Sequence, residues 1–255
     1  MTLEHWIEFP SEPKELLLVW QAPSSISDRL RWAVGRLRKV GDEAVFCYLR
    51  GEEFAGLNAG RSPDELEAAG FSGYPAFDRN AKRRPEGDAW ERALGAFLRR
   101  LPPATRSDFS GYLAHFLIKA QPQLSQFALL AATGARLPSD GFSLVDPLDP
   151  SAQCVDFIFE IAGLRHYERD GVRLEIGSPL KLEPEPSNLK DPNAVQVKAS
   201  GKVVGYVNRL QANTIRIWLI ERKVECWVVR RNDSGASPRA YAFLRVRSAE
   251  SAIAA

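Results

Sequence analysis

The stretch Leu182–Trp218 constrains this chain more than any other. Its centre, Glu185-Pro186-Ser187-Asn188-Leu189-Lys190-Asp191-Pro192-Asn193, is polar, and two prolines fix φ within it. Asn188, Asp191 and Asn193 are each suited to closing an Asx turn on the backbone amides that follow. A loop braced in this way holds its side chains without a core of its own. It runs straight into the alternation Val195, Val197 and then Val203, Val204, Tyr206, which predicts two strands about a turn at Gly201. Arg209, just past the second strand, is then expected near the loop's end of the sheet.

A chain of 255 residues, 45% hydrophobic, can bury one large core or two ordinary ones. The proline- and aspartate-rich segment 138–153 is read as a boundary, dividing the chain into domains 1–150 and 151–255. In the first, Glu15–Trp20 and Glu43–Leu49 predict strands, whereas 29–38 fits a helix and a strand equally. Gly51–Gly60 reads as a loop, and Ser62-Pro63-Asp64-Glu65 as a capping box with proline at the first helical position. Helices are expected over 89–101, from Ser107, and over 125–132 up to Gly134, with an exposed loop at 79–87. In the second domain strands are expected at 154–164, 172–176, 180–182, 194–198, 203–207, 224–229 and 240–246, with a helix over 210–221 and a loop at 232–235. The fold class is therefore α+β: a small β-rich domain with packed helices, then a barrel-sized set of strands with one main helix.

Four motifs of the second half, taken in order, resemble the HIRAN domain, a module of DNA-repair helicases and of small bacterial proteins. They are Gly163-Leu164-Arg165-His166-Tyr167, the run from Glu185 to Val195, Val204-Gly205-Tyr206-Val207, and Arg209–Ala212 opening a helix. The resemblance implies an OB-like β-barrel that captures the 3′ end of single-stranded DNA. A carboxylate can accept from the terminal hydroxyl, guanidinium groups can take phosphates, and flat rings can stack on bases. By position, Asp191 is the implied carboxylate; on its residues alone it is equally a turn-capping aspartate. Arg165 and Arg209 are the implied phosphate contacts, each otherwise a solvated arginine. Tyr167 either faces a base or fills the barrel, Tyr206 is packing or a rim contact, and Asn188 and Asn193 hold the loop. His166 and Lys190 stand where eukaryotic members carry aromatics, which thins the stacking wall and adds salt dependence.

The first half, through Trp32–Leu37, Phe46-Cys47-Tyr48, Phe97–Pro102, Arg106-Ser107-Asp108 and Thr133-Gly134, is similar to the N-terminal subdomain of HipA-type toxin kinases. That likeness implies a protein-binding cap, with a separately encoded HipA-like kinase as partner and Phe71–Phe77 as the contact. The chain has no phosphate-cradling glycine loop and no kinase catalytic loop.

Composition limits the remaining classes. Residues 155–255 carry 16 Lys and Arg against 12 Asp and Glu, and the rest of the chain carries 18 against 20. A surplus of that size permits a confined nucleic-acid site and not broad phosphate neutralisation. His5, His115 and His166 share no metal spacing with Cys47, Cys154 and Cys226, and no nucleophile–base pair is visible. No enzymatic activity, cofactor or metal is expected. No apolar run reaches membrane-span length and Met1–Pro10 does not read as a signal peptide, so a cytoplasmic protein is expected. Two functions follow: a DNA-end-binding module, or a toxin–antitoxin accessory that docks a kinase.

Overall fold

The computed structural model describes residues 5–23, 30–77, 89–119, 124–137, 139–167, 174–232 and 238–248. The loops expected at 79–87 and 232–235 lie wholly or largely outside them; of the strand expected at 172–176, residues 174–176 are described and form no strand, the chain turning at Ile176 and Gly177. The chain divides into two compact units that interleave in sequence. One comprises Glu12–Phe109 and Gln123–Pro147; the other comprises Met1–Ser11, Ser110–Pro122 and Leu148–Ala255.

The first unit is built on β1 (Glu15–Gln21), β2 (Arg31–Val40) and β3 (Glu43–Tyr48), followed by α1 (Gly51–Leu57), α2 (Pro63–Ala68), β4 (Ala89–Trp90) and α3 (Leu94–Leu98). Beyond α4 (Phe109–His115), which belongs almost wholly to the other unit, come α5 (Gln126–Thr133) and β5 (Phe142–Val145). The sheet is antiparallel in the order β4-β3-β2-β1-β5. Strand β1 sits inside it, and Leu16 to Trp20 are all buried, which is why the run is apolar throughout and does not alternate. The described part of the ambiguous segment 29–38 is a strand from Arg31 onward. Ser62 and Glu65 form the expected capping box, with Glu65 N donating to Ser62 Oγ and Ser62 N to Glu65 Oε2. Ser125 caps α5, and Gly134 ends it at φ +65°.

Several expectations fail here for identifiable reasons. Gly51–Leu57 is a helix and not a loop: Phe54 is buried against the Trp32 ring, and Asn58 bonds the backbone of Ala33 and Phe54. The helix expected over 89–101 shrinks to Leu94–Leu98. Trp90 pairs with Phe46 across the sheet, Arg92 turns the chain at φ +53°, and Ala93 N bonds Ala44 O. Phe142–Val145, within the segment read as a linker, is a strand of this sheet. Phe71, Tyr74 and Phe77 are buried and pack with Phe46, Tyr48 and Phe97, so this aromatic run is core and not a contact surface for a partner.

The second unit contains β6 (Val155–Glu160), α6 (Leu164–Tyr167), β7 (Pro179–Pro184), β8 (Val195–Ala199), β9 (Lys202–Tyr206), α7 (Arg209–Glu221), β10 (Arg222–Asn232) and β11 (Arg239–Ser248). Its sheet is antiparallel in the order β6-β11-β10-β7-β8-β9. The barrel expected from sequence is not closed. Among the described residues its ends meet at one bridge, Ala162 with Tyr206, which exchange two backbone bonds of 2.8 Å. Ala212, Ile215 and Trp218 of α7 are buried with Val195, Val197, Phe157 and Val228 in a single apolar core. Trp218 Nε1 donates to Pro150 O at 3.1 Å, so the large ring is buried without stranding its N–H. Among the described residues no helix is long and apolar enough to cross a membrane.

Candidate nucleic-acid interface

The loop after β7 is held by its own side chains. Glu185 N donates to Ala194 O at 2.8 Å and Ala194 N to Asp191 O at 2.9 Å, closing the loop at its neck. Asn188 Oδ1 accepts from Lys190 N and Asp191 N at 3.0 and 3.1 Å, and Asp191 Oδ1 accepts from Asn193 N at 2.9 Å. These are Asx turns at two of the three expected positions. Asn193 does something else: its Oδ1 accepts from Arg216 of α7, which also bonds Pro192 O. The β8–β9 hairpin turns at Ser200 and Gly201, at φ +48° and +80°, the geometry of a two-residue turn with both central residues left-handed.

That hairpin and α7 deliver the remaining groups. Asn208 caps α7 by accepting from Leu210 N, which fixes Arg209 in the first turn. Arg209 Nε then lies 3.6 Å from Asp191 Oδ2, both side chains partly exposed. A second cluster sits beside it. Tyr167 donates to the Tyr206 hydroxyl at 3.4 Å, and Tyr206 donates to Glu185 Oε2 at 3.0 Å, an oxygen that also takes Asn188 Nδ2 at 2.6 Å. Asn188 thus ties the two clusters together, with its amide on Glu185 and its oxygen on the Asp191 backbone. The Asn188 bond, and more weakly that from Tyr206, holds the Glu185 carboxyl below its ordinary range. The Tyr206 hydroxyl is pushed up, chiefly by Tyr167 and then by burial and Glu185.

Of the residues expected from sequence, Asp191 and Arg209 meet directly, and Tyr167 and Tyr206 meet through their hydroxyls. Arg165 and His166 are exposed on α6, where Arg165 Nε donates to His166 Nε2 at 3.2 Å. The sequence pattern extends the preceding strand to Leu164; Gly163, at φ +77°, instead turns the chain into this one-turn helix. Among the contacts of the described residues, none joins Arg165 to the Asp191–Arg209 pair. Lys190 is exposed at the loop tip. Away from the loop, Lys181 and Lys198 are occupied by Glu183, whose carboxyl they lower to about 2. Sequence reasoning placed Glu185 in the loop motif without giving it a role, and missed Arg216. Arg216 was findable: it lies seven residues after Arg209, two turns along the same helix face.

Tyr206→Phe tests the Glu185 link. It should leave the fold intact, cost about 1 kcal/mol in urea unfolding, and let the Glu185 carboxyl titrate at higher pH by carbon-detected NMR. An unmoved Glu185 titration would show that the 3.0 Å bond contributes nothing.

The crystal structure of the HIRAN domain of human HLTF overlaps 39% of this chain and 81% of its own, at 19% identity and a TM-score of 0.31, too loose an overlap to speak for this fold. No curated protein matches. The likeness of residues 1–150 to the HipA-type cap finds no support among these matches. The family model described as the HIRAN domain matches residues 155–237, which is less than half of the chain and takes in α6, the braced loop, the β8–β9 hairpin and α7.

Proposed function

We propose that this protein binds single-stranded DNA at its 3′ end, without catalysis, through the braced loop, α6, Tyr206 and the start of α7. The observation that carries this reading is the pairing of Asp191 with Arg209 at 3.6 Å on a loop already ordered by its own hydrogen bonds. A terminal nucleotide presents a hydroxyl donor and, one bond further, an anionic phosphate. A carboxylate beside a guanidinium matches both, and an ordered loop loses little entropy on binding. The HIRAN match over the same residues supports the same substrate class.

Fluorescence anisotropy with a single-stranded oligonucleotide tests it. Blocking the 3′ hydroxyl with a phosphate, or replacing Asp191 with alanine, should each weaken binding roughly ten-fold, the worth of one hydrogen bond to a charged group. The two changes together should cost little more than either alone. With two phosphates contacted, log affinity should fall against log salt with a slope of about −1.4. Wild-type affinity that ignores the 3′ group, matched by Asp191→Ala, refutes the end-specific reading.

A further inference from the structure

We infer that Leu189 is the apolar surface on which the last base of the bound strand rests, an inference that depends on the DNA reading above. Leu189 is 103% exposed, more than any other large apolar side chain among the described residues; Ile220 follows at 83% and Ile176 at 67%. A leucine in that position contributes nothing to the core. It is not on a slack segment either: Asn188 and Asp191, on either side, are fixed by the Asx bonds and by the closed neck of the loop.

Two of the rings that could take a base are already engaged. Tyr167 and Tyr206 are tied to each other and to Glu185 through their hydroxyls, and both are half-buried. Leu189 lies two residues from Asp191, so their Cα atoms are within about 7 Å of each other. A nucleotide whose hydroxyl reaches Asp191 therefore carries its base into the neighbourhood of Leu189. The flanking exposed groups, Ser187 and Lys190, are polar. One leucine among them is too small a patch for a protein partner, and it has the size of one base face.

The test compares two labelled oligothymidylates by anisotropy, one complete and one with an abasic last nucleotide. Wild type should bind the complete strand about five-fold tighter, the worth of a partly covered leucine. Leu189→Ser should bind the abasic strand as wild type does and lose the preference, while Leu189→Met should keep it. Since Leu189 touches no core, the serine variant should unfold within about 0.5 kcal/mol of wild type. A serine variant that keeps the five-fold preference, or one that weakens both strands equally, overturns the inference. Failure of the wild-type protein to bind either strand overturns the DNA reading itself, and this inference with it.

Discussion

Gly205→Ala should be the most damaging single-methyl change in the second unit, costing about 4 kcal/mol and lowering Tm by roughly 10 °C for a chain of this size. Gly205 has φ +153°, and a Cβ built on it would lie 2.5 Å from Ala162 O and 2.6 Å from Ile161 Cγ2. The carbonyl cannot step aside cheaply, because it accepts from Tyr206 N at 2.8 Å in the bridge that joins the two ends of the sheet. Gly201 is the control. It has φ +80° with nothing within 4 Å, so Gly201→Ala carries backbone strain alone, about 1 kcal/mol. The difference of about 3 kcal/mol between the two variants is then the cost of prising the bridge apart. The bridge also sets Tyr206 and α6 side by side, so under the proposed function DNA affinity should fall with Gly205→Ala and not with Gly201→Ala. Equal melting temperatures for the two variants would mean that the bridge does not hold the unit together.

Gly205 also marks the limit of what the sequence makes legible. Local hydrogen-bond chemistry was readable: the Ser62–Glu65 capping box, the end of α5 at Gly134, the Asx turns at Asn188 and Asp191, and the hairpin at Gly201 all form as their residue types require. Each needs only neighbours within four residues. What failed depended on distant partners. Gly51–Leu57 becomes helical because Phe54 finds Trp32, and Trp90 leaves its helical pattern because it pairs with Phe46. The same division runs through the candidate site. Asp191 and Arg209 were found by motif and meet in space, whereas the roles of Glu185 and Arg216 come from contacts 21 and 23 residues away, at which only the spacing of Arg216 from Arg209 along one helix hints. Nor does any local pattern show that a sheet of six strands stops short of a barrel and, among the described residues, touches itself at Ala162 and Tyr206.

Asp156→Ala should cost about 3 kcal/mol, because Asp156 is a buried acid on which five donor atoms from four residues converge. Its Oδ1 accepts from Arg247 Nη1 at 2.7 Å and Arg245 Nε at 3.4 Å; its Oδ2 accepts from Arg247 Nη2 at 3.1 Å and from the backbone of Glu8 and Phe9 at 2.9 and 3.2 Å. The Asp156 side chain is 0% exposed, and it sits opposite Arg245 in the β6–β11 register. Alanine would leave two guanidinium groups and two amide N–H groups without their acceptor. Glu8 also approaches both arginines, at 3.8 and 3.6 Å, but it is 56% exposed, and Glu8→Ala should cost no more than about 0.5 kcal/mol. The contrast separates a buried acceptor from a surface ion pair made with the same two arginines. Asp156 N also donates to Phe9 O at 2.7 Å, so the segment before Ser11 lies along the outer side of β6, the end strand of its sheet. Covering an end strand in this way removes a template for pairing with another chain. Deleting residues 1–9 should therefore destabilise the unit and promote self-association at high concentration, seen by sedimentation velocity. If Asp156 and that segment act as one latch, the deletion combined with Asp156→Ala should cost clearly less than the sum of the two. Simple additivity would mean that the buried acid serves its arginines alone and the N-terminal segment is held by its apolar contacts.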